Sequence, residues 1–327
     1  MNILIFIIFI QIILESLPVS SSGHLALVSN FYKSNLSDHI DYFLHGPTII
    51  ILMIVFYKEW SRPLGFLIKG FFKKNRILGQ VFGKVVAERP VDDNRCEFRS
   101  NINQPIQISS SRVVPAAPKP MANAGQALYR GTYKKLLNIF FKIVPFIFVA
   151  NFITTLIWFL VKTFLEKQIW FSSYITLLLG FCVTSIFLFL LRFKFLNKTE
   201  FTFIFKAVIL GLVQGMALLP GISRFASVYA TARLLNISNR RAFQITFLLQ
   251  FPLIVAGFFL GFYKLAKVPE FFKMFTLPVN LSIFTATIIS LGILFWCKKL
   301  AYTQKLWRFA FYMFIPILFS IYILFYR

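Results

Sequence analysis

Polar side chains of the kinds used in catalysis interrupt the apolar start of this chain. Residues 14–27 read LESLPVSSSGHLAL and follow an apolar run that contains Gln11. Gln11 and Glu15 are four residues apart, so a helix places both on one face. An ionisable group inside a membrane is costly and generally faces a polar cavity or a partner. Glu15 is therefore a candidate functional residue, although the sequence also allows a solvated position at the membrane interface.

The proline in this stretch predicts a break in the first helix. Pro18 cannot occupy a helix interior without breaking the hydrogen-bond ladder. Three consecutive serines, Gly23 and His24 follow it. Serine hydroxyls can bond backbone groups that a break sets free, and a histidine can exchange protons near neutral pH. The sequence thus predicts a re-entrant segment. Serines alone would only satisfy broken backbone, but Glu, Ser and His within ten residues favour a site.

A second stretch, LPGISR, resembles the first. Pro220 and Ser223 have the same spacing as Pro18 and Ser21, and Arg224 follows directly. The planar fork of an arginine binds two oxygens of a phosphate or carboxylate at once. Corresponding Pro- or Gly-interrupted segments in two halves of a membrane protein indicate inverted repeats that meet near mid-membrane. The two stretches together predict a site for a phosphorylated amphiphile; the alternative is a pair of unrelated turns.

The elements that must position these residues are membrane helices. The chain has 327 residues, of which 58% are hydrophobic, and a mean hydropathy of +0.73, which excludes an ordinary soluble domain. We therefore predict an all-α polytopic membrane protein with about seven or eight transmembrane helices, two re-entrant segments and inverted-topology repeats. Eight apolar runs reach or approach the roughly 20 residues of a span: 1–14, 43–57, 139–161, 172–191, 203–219, 243–263, 281–297 and 309–326.

The charge pattern indicates membrane topology. The net charge is +24, but the Lys and Arg residues lie in short loops between apolar runs, so we expect anionic membrane lipid and not nucleic acid as the partner. The positive-inside rule places the basic clusters at 69–76, 192–198 and 298–308 in the cytoplasm. On this topology both polar stretches begin at the outer side of the membrane. The three cysteines are far apart, and we expect neither a disulfide framework nor a zinc site.

Composition divides the chain into three parts. Residues 1–74 hold the Glu/Ser/His stretch, and 136–327 hold the remaining membrane helices with the Pro-Gly-x-Ser-Arg stretch. Residues 75–135 are polar, with charges of both signs and the sequence PAAPKP, and are predicted to be a disordered cytoplasmic insertion. That composition fits a tolerated loop insertion best. A regulatory or partner-binding segment is the alternative.

These motifs resemble those of a known family. Gln11-x-x-x-Glu15 followed by LPVSSSGH, and the later PGISR, resemble the two signature motifs of the bacterial undecaprenyl-diphosphate phosphatase, or bacitracin-resistance, family. The sequence FLLQFP at 247–252 resembles that family's F-L-L-x-x-P. The resemblance implies a multi-pass enzyme of the bacterial inner membrane, with its active site toward the periplasmic face. It would remove the terminal phosphate of undecaprenyl diphosphate and so recycle the lipid carrier for peptidoglycan synthesis.

The resemblance also implies roles for individual residues. Glu15 and Gln11 fall at the family's acidic metal-site motif, for which a divalent cation, magnesium or calcium, is implied. Ser21 falls at its essential serine and His24 at its catalytic histidine. Ser21 is either the nucleophile, activated by His24, or a group that orients water. Four residues are assigned to the substrate's phosphates: Arg224, Ser223, Ser20 and Ser22.

The second motif departs from the family pattern. Phe225 and Ala226 occupy positions where the family has Ser and Gly. Two further hypotheses therefore stand beside the phosphatase: a flippase or transporter of the lipid carrier, and a degenerate, inactive homologue. A flippase needs Arg224 but has little use for a proton-transfer group beside a serine. Association into a homodimer is left open by the sequence.

Overall fold

A computed structural model describes residues 2–32, 38–60, 141, 143–165, 174–193, 201–268 and 275–326 of the chain. Contacts between residues group Met1–Glu59 with Lys142–Arg327 in one compact unit, which holds all helices discussed below. Trp60–Phe141 form a separate unit, and almost all of it lies outside the described residues. The predicted insertion at 75–135 is part of that stretch, so the three-part division of the chain stays a prediction.

The described residues form helices and turns without a strand. Eleven helical elements follow one another, and the last of them, α11, combines the 3₁₀ turn Leu306–Arg308 with the helices Phe309–Tyr312 and Phe314–Tyr326. In chain order they are α1 Asn2–Glu15, α2 Ser21–Tyr32, α3 Asp38–Phe43, α4 His45–Val55, α5 Ile143–Thr163, α6 Tyr174–Leu190, α7 Phe203–Met216, α8 Arg224–Leu234, α9 Asn239–Leu265, α10 Leu277–Tyr302 and α11 Leu306–Phe325.

Four of these helices, α5, α9, α10 and α11, are long and apolar enough to cross a membrane, counted over the residues that the structure describes. Four shorter apolar helices accompany them: Ile3–Glu15, Ile40–Val55, Tyr174–Leu190 and Phe203–Met216. The eight segments coincide with the eight apolar runs of the sequence. The predicted all-α polytopic membrane architecture is therefore confirmed.

Two of the shorter helices are the entering arms of helical hairpins. α1 and α7 each have 14 residues, or about 21 Å at 1.5 Å per residue, which is less than the roughly 30 Å of a bilayer core. Each is followed by a short non-helical segment and then by a second helix that packs against it. We call Ser16–Ser20 the first break, between α1 and α2, and Ala217–Ser223 the second break, between α7 and α8.

The two hairpins lie at opposite ends of the bundle. Leu4, near the start of α1, shares an apolar cluster with Val279 at the start of α10. The second hairpin lies by the other end of α10, since the Tyr229 hydroxyl of α8 donates to the Ala301 carbonyl at 3.0 Å. Hairpins that enter from opposite ends are typical of inverted-topology repeats. Each polar stretch lies where its hairpin turns back inside the bundle, and the side of the membrane from which the stretches begin stays a prediction.

One buried hydroxyl from an apolar helix outside the two hairpins holds each break. Ser290 of α10 donates to the Ile12 carbonyl at 2.7 Å and accepts from the Ser16 hydroxyl at 2.6 Å. Thr184 of α6 donates to the Gly221 carbonyl at 2.8 Å and accepts the Ser223 N–H at 2.9 Å. Unpaired backbone groups are expensive in an apolar interior. These two hydroxyls therefore make the breaks tolerable at this depth.

Glycines let the two breaks come into contact. A Cβ at Gly23 would lie 2.8 Å from the Gly221 Cα, and one at Gly180 would lie 2.1 Å from the Pro220 carbonyl oxygen. Gly221 also has a φ of +88°, a conformation that favours glycine. The start of α2 thus lies directly against the second break, halfway along α6.

Candidate active site

The two breaks and α9 line one small polar pocket. The first hairpin contributes Glu15 and Ser20, Ser21 and Ser22; the second contributes Ser223 and Arg224; α9 contributes Gln250. Six of the predicted site residues therefore meet in one place, although 203 positions of sequence separate Ser20 from Ser223. Their proposed chemical roles remain predictions, but the convergence of the two stretches is a feature of the fold.

Serine caps begin the second helix of both hairpins. The Ser20 Oγ accepts the Gly23 N–H at 3.2 Å, and the Ser223 Oγ accepts the Ala226 N–H at 3.2 Å. By cap position Ser20 corresponds to Ser223, whereas the proline spacing in the sequence pairs Ser21 with Ser223. The difference arises because the second break has one more residue between its proline and its cap.

These caps give the pocket its electrostatic character. The N-termini of α2 and α8 both face it, because residues of the first turn of each helix line the pocket. The N-terminus of a helix carries roughly half a positive elementary charge and attracts anions. Arg224 adds a full positive charge at the same place. The combination is suited to a group with several negatively charged oxygens, such as a phosphate.

Glu15 is the carboxylate of the pocket, and it has two partners. The Ser21 hydroxyl donates to its Oε2 at 2.5 Å. The Nδ1 of His45, a buried residue at the start of α4, lies 3.9 Å from its Oε1. Sequence reasoning missed His45. His45 is an ionisable residue within the apolar run 43–57, and the same feature identified Glu15 as a candidate.

His24 lies beside the pocket but faces away from it. Its Nδ1 is 2.8 Å from the Ser20 carbonyl oxygen, and its Nε2 is 3.2 Å from the Tyr312 hydroxyl. The ring lines a neighbouring apolar cavity of about 340 Å³ between α1, α2 and α11, and Leu14 lines both spaces. Ser21 is thus hydrogen-bonded to Glu15 in this structure, and its activation by His24 stays a prediction.

Gln11 is the second residue predicted to hold a cation. It is 1% exposed, and its Oε1 has no hydrogen-bond partner among the described residues. Within that part of the chain no group of three or more His, Cys, Asp and Glu residues is arranged to bind a metal. Magnesium is commonly bound by one or two carboxylates together with substrate phosphates. Glu15 lines the pocket, whereas Gln11 is not among the residues that line it, so a divalent cation held by these two residues stays a prediction.

The two residues that depart from the family motif leave the start of α8 in place. The Phe225 ring packs against Phe247 and Phe243, with centroid distances of 4.9 and 5.7 Å. Ala226 is buried, and its N–H is the one that the Ser223 cap accepts. Arg224 consequently remains at the first position of the helix, facing the pocket.

Fold and pocket together define a polytopic membrane protein with an anion-attracting site built from two inverted hairpins. Comparison with known proteins narrows this class. Residues 4–318 match the family described as bacitracin resistance protein BacA, and the chain belongs to this family. The resemblance seen in the sequence motifs is thereby confirmed.

Relatives of this chain carry one common name. It is 27% identical over 307 residues to an undecaprenyl-diphosphatase of Borrelia recurrentis, covering 93% of this chain and 92% of the relative. It is 25% identical over 308 residues to an undecaprenyl-diphosphatase of Borrelia hermsii, with 94% and 92% covered. A third undecaprenyl-diphosphatase, from Treponema denticola, is 25% identical over 307 residues, with 93% and 90% covered.

Proposed function

We propose that this protein is a membrane phosphatase that hydrolyses undecaprenyl diphosphate to undecaprenyl phosphate and phosphate, and so recycles the lipid carrier for peptidoglycan synthesis. The observation that carries the proposal is the meeting of two helix N-termini and Arg224 with the Glu15–Ser21 pair in one pocket. Membership of the family and the names of the relatives support the same reaction.

The second hairpin supplies charge. Phosphoryl transfer depends on alignment and on neutralising charge that spreads over the phosphoryl oxygens. Arg224 can bind two of those oxygens, and the backbone N–H groups at the starts of α2 and α8 point toward the same space. Ser223, Ser20 and Ser22 line the pocket and complete the phosphate-binding set that the sequence predicts.

The first hairpin supplies the reacting groups. With its hydroxyl donating to Glu15, Ser21 is arranged as a nucleophile whose proton passes to that carboxylate. Attack of the Ser21 oxygen on the terminal phosphorus would release undecaprenyl phosphate and leave a phosphoserine, which water then hydrolyses. In this scheme Glu15 takes the role of the base, and His24 remains the predicted proton-exchange residue at the edge of the site.

Cation binding is the remaining part of the proposal. Glu15 and Gln11 would hold a divalent cation, magnesium or calcium, whose chemistry there is to neutralise phosphate charge. We also propose that the protein lies in the bacterial inner membrane with the pocket open toward the periplasm, as the family resemblance implies.

A phosphate-release assay tests this function. Purified protein in detergent, given undecaprenyl diphosphate and magnesium, is expected to release phosphate, and Ser21→Ala is expected to lower the rate by about a thousandfold or more. Ser29→Ala is the matched control, since Ser29 lies on the same helix as Ser21 and does not line the pocket. Wild-type protein that moves the lipid between leaflets without releasing phosphate would support the flippase instead.

A further inference from the structure

We infer that Tyr312 of α11 is a positioning residue for His24. The inference rests on the proposed function, because it concerns the role of His24 in that reaction. The Tyr312 hydroxyl lies 3.2 Å from the His24 Nε2, and the two rings are stacked with centroids 5.8 Å apart at an angle of 19°. Nothing in the sequence motifs singles out this tyrosine, which lies 288 residues away from the histidine.

The hydrogen bonds define one tautomer of the histidine. The Ser20 carbonyl oxygen can only accept, so the Nδ1 of His24 must carry the proton that bridges the 2.8 Å between them. In a neutral imidazole the Nε2 is then unprotonated and accepts, and the Tyr312 hydroxyl is its donor. Tyr312 therefore holds the nitrogen with which His24 would exchange a proton.

The orientation of the ring is fixed as well as its tautomer. The edge of the buried Phe181 ring lies against His24, with centroids 5.2 Å apart and an interplanar angle of 71°. The Tyr312 ring lies nearly parallel to the imidazole, and the Ser20 carbonyl binds the nitrogen opposite the one that faces Tyr312. Each of these contacts comes from a different element: α6, α11 and the first break.

The local structure of α11 explains why Tyr312 is well placed for this. The helix Phe309–Tyr312 ends one turn before Pro316, which has no N–H to donate to the Tyr312 carbonyl four residues earlier. Ala310 and Met313, on either side of Tyr312, are buried in the cluster that includes Phe181. The backbone around Tyr312 is thus anchored against α6 at the level of the first break.

Loss of the hydroxyl has a specific consequence for the reaction. Without it the Nε2 would face the apolar cavity with no donor, and the ring would turn to find another partner. The fraction of molecules with His24 in the observed orientation, bonded to the Ser20 backbone at the edge of the pocket, would fall. Substrate binding would change little, because Arg224 and the helix N-termini lie in the neighbouring pocket, which His24 does not line. The expected effect is on kcat and not on KM.

Two measurements test the inference, with Tyr322→Phe as the control because Tyr322 is on the same helix and 55% exposed. Tyr312→Phe is expected to lower kcat about fivefold to tenfold with KM changed less than about twofold, as befits one lost hydrogen bond. Independently of activity, ¹⁵N-histidine NMR of the protein in micelles can report on Nε2, since the chain has three histidines and His24→Gln identifies the His24 signal. Tyr312→Phe should shift that signal, and the control should not.

The outcomes separate this inference from the proposed function. An unchanged His24 signal in Tyr312→Phe overturns the inference, and so does an unchanged kcat with a shifted signal. A tenfold loss with an unshifted signal also overturns it, since the effect would not pass through His24. If wild-type protein releases no phosphate, the proposed function fails, while the NMR comparison still decides whether Tyr312 holds the histidine. Equal melting temperatures of the two variants confirm that both are folded.

Discussion

The first and second breaks have the same backbone plan and different side chains. Each follows a 14-residue helix, is held by a buried hydroxyl of another helix, and ends in a serine that caps the next helix. The first break is surrounded by Glu15 and three serines, whereas the second offers Arg224. The pseudo-symmetric backbone provides two positive helix ends for an anion, and under the proposed function the reacting groups belong to the first break and the charged phosphate-binding group to the second.

A buried glutamine extends the correspondence. Gln11 and Gln214 each lie nine residues before the serine cap of their hairpin, and both are buried with an Oε1 that has no hydrogen-bond partner among the described residues. The Gln214 Nε2 donates to the Leu249 carbonyl at 3.3 Å, next to Gln250 of the pocket. Corresponding positions thus carry one residue type, and the two halves differ in the charged group at the pocket, which is Glu15 in the first and Arg224 in the second.

The largest effect after the loss of the Ser21 hydroxyl is expected when the second break loses its charge. Arg224→Ala should lower kcat/KM for phosphate release by about a hundredfold to a thousandfold, the usual cost of removing one electrostatic stabiliser of a transition state. Arg224→Lys keeps the charge but not the two-pronged hydrogen bonding, and it should recover only part of the loss. Full activity of Arg224→Ala would show that the second break does not bind the phosphate.

A smaller effect is expected at the residue behind Glu15. His45→Ala removes the group 3.9 Å from the Glu15 Oε1 and should lower kcat about tenfold, with His45→Gln less affected because an amide keeps a polar donor group near the carboxylate. Met53→Ala, on the half-exposed side of α4, is the control and should leave the rate unchanged. Equal rates for His45→Ala and the control in the phosphate-release assay would exclude His45 from the site.

The smallest effects are expected at the caps. Ser223→Ala is expected to cost about 1 kcal/mol of stability, the usual value for a lost helix cap. Ser20→Ala should cost a similar amount for its lost cap, whereas Ser20→Gly should cost less, because the φ of +64° at this position strains serine and alanine alike but not glycine. Denaturation midpoints in mixed micelles measure this, and equal midpoints for Ser20→Ala and Ser20→Gly would contradict the strain at Ser20.

The sequence predicts those site residues whose polar or charged side chains are unusual in a membrane segment. Glu15, the serines and Arg224 are visible because polar residues beside a proline are unusual in an apolar chain. Ser290 and Thr184 cannot be recognised in the sequence, because single hydroxyls are common in membrane helices and usually bond the backbone of their own helix. Their role depends on which helices pack together, as in the Ser16–Ser290 bond across 274 residues. The orientation of His24 has the same origin, since its partner belongs to the last helix.

Binding of a non-hydrolysable substrate analogue tests most directly the proposal that the first break carries the reacting groups and the second break binds the phosphates. A prenyl methylenediphosphonate would be titrated into wild-type protein, Ser21→Ala and Arg224→Ala by calorimetry in detergent. If the first break reacts and the second binds, Ser21→Ala keeps its Kd within about twofold and Arg224→Ala weakens it about tenfold or more, the loss expected for a charge-assisted bidentate contact. Equal weakening in both variants, or none in Arg224→Ala, would contradict the account.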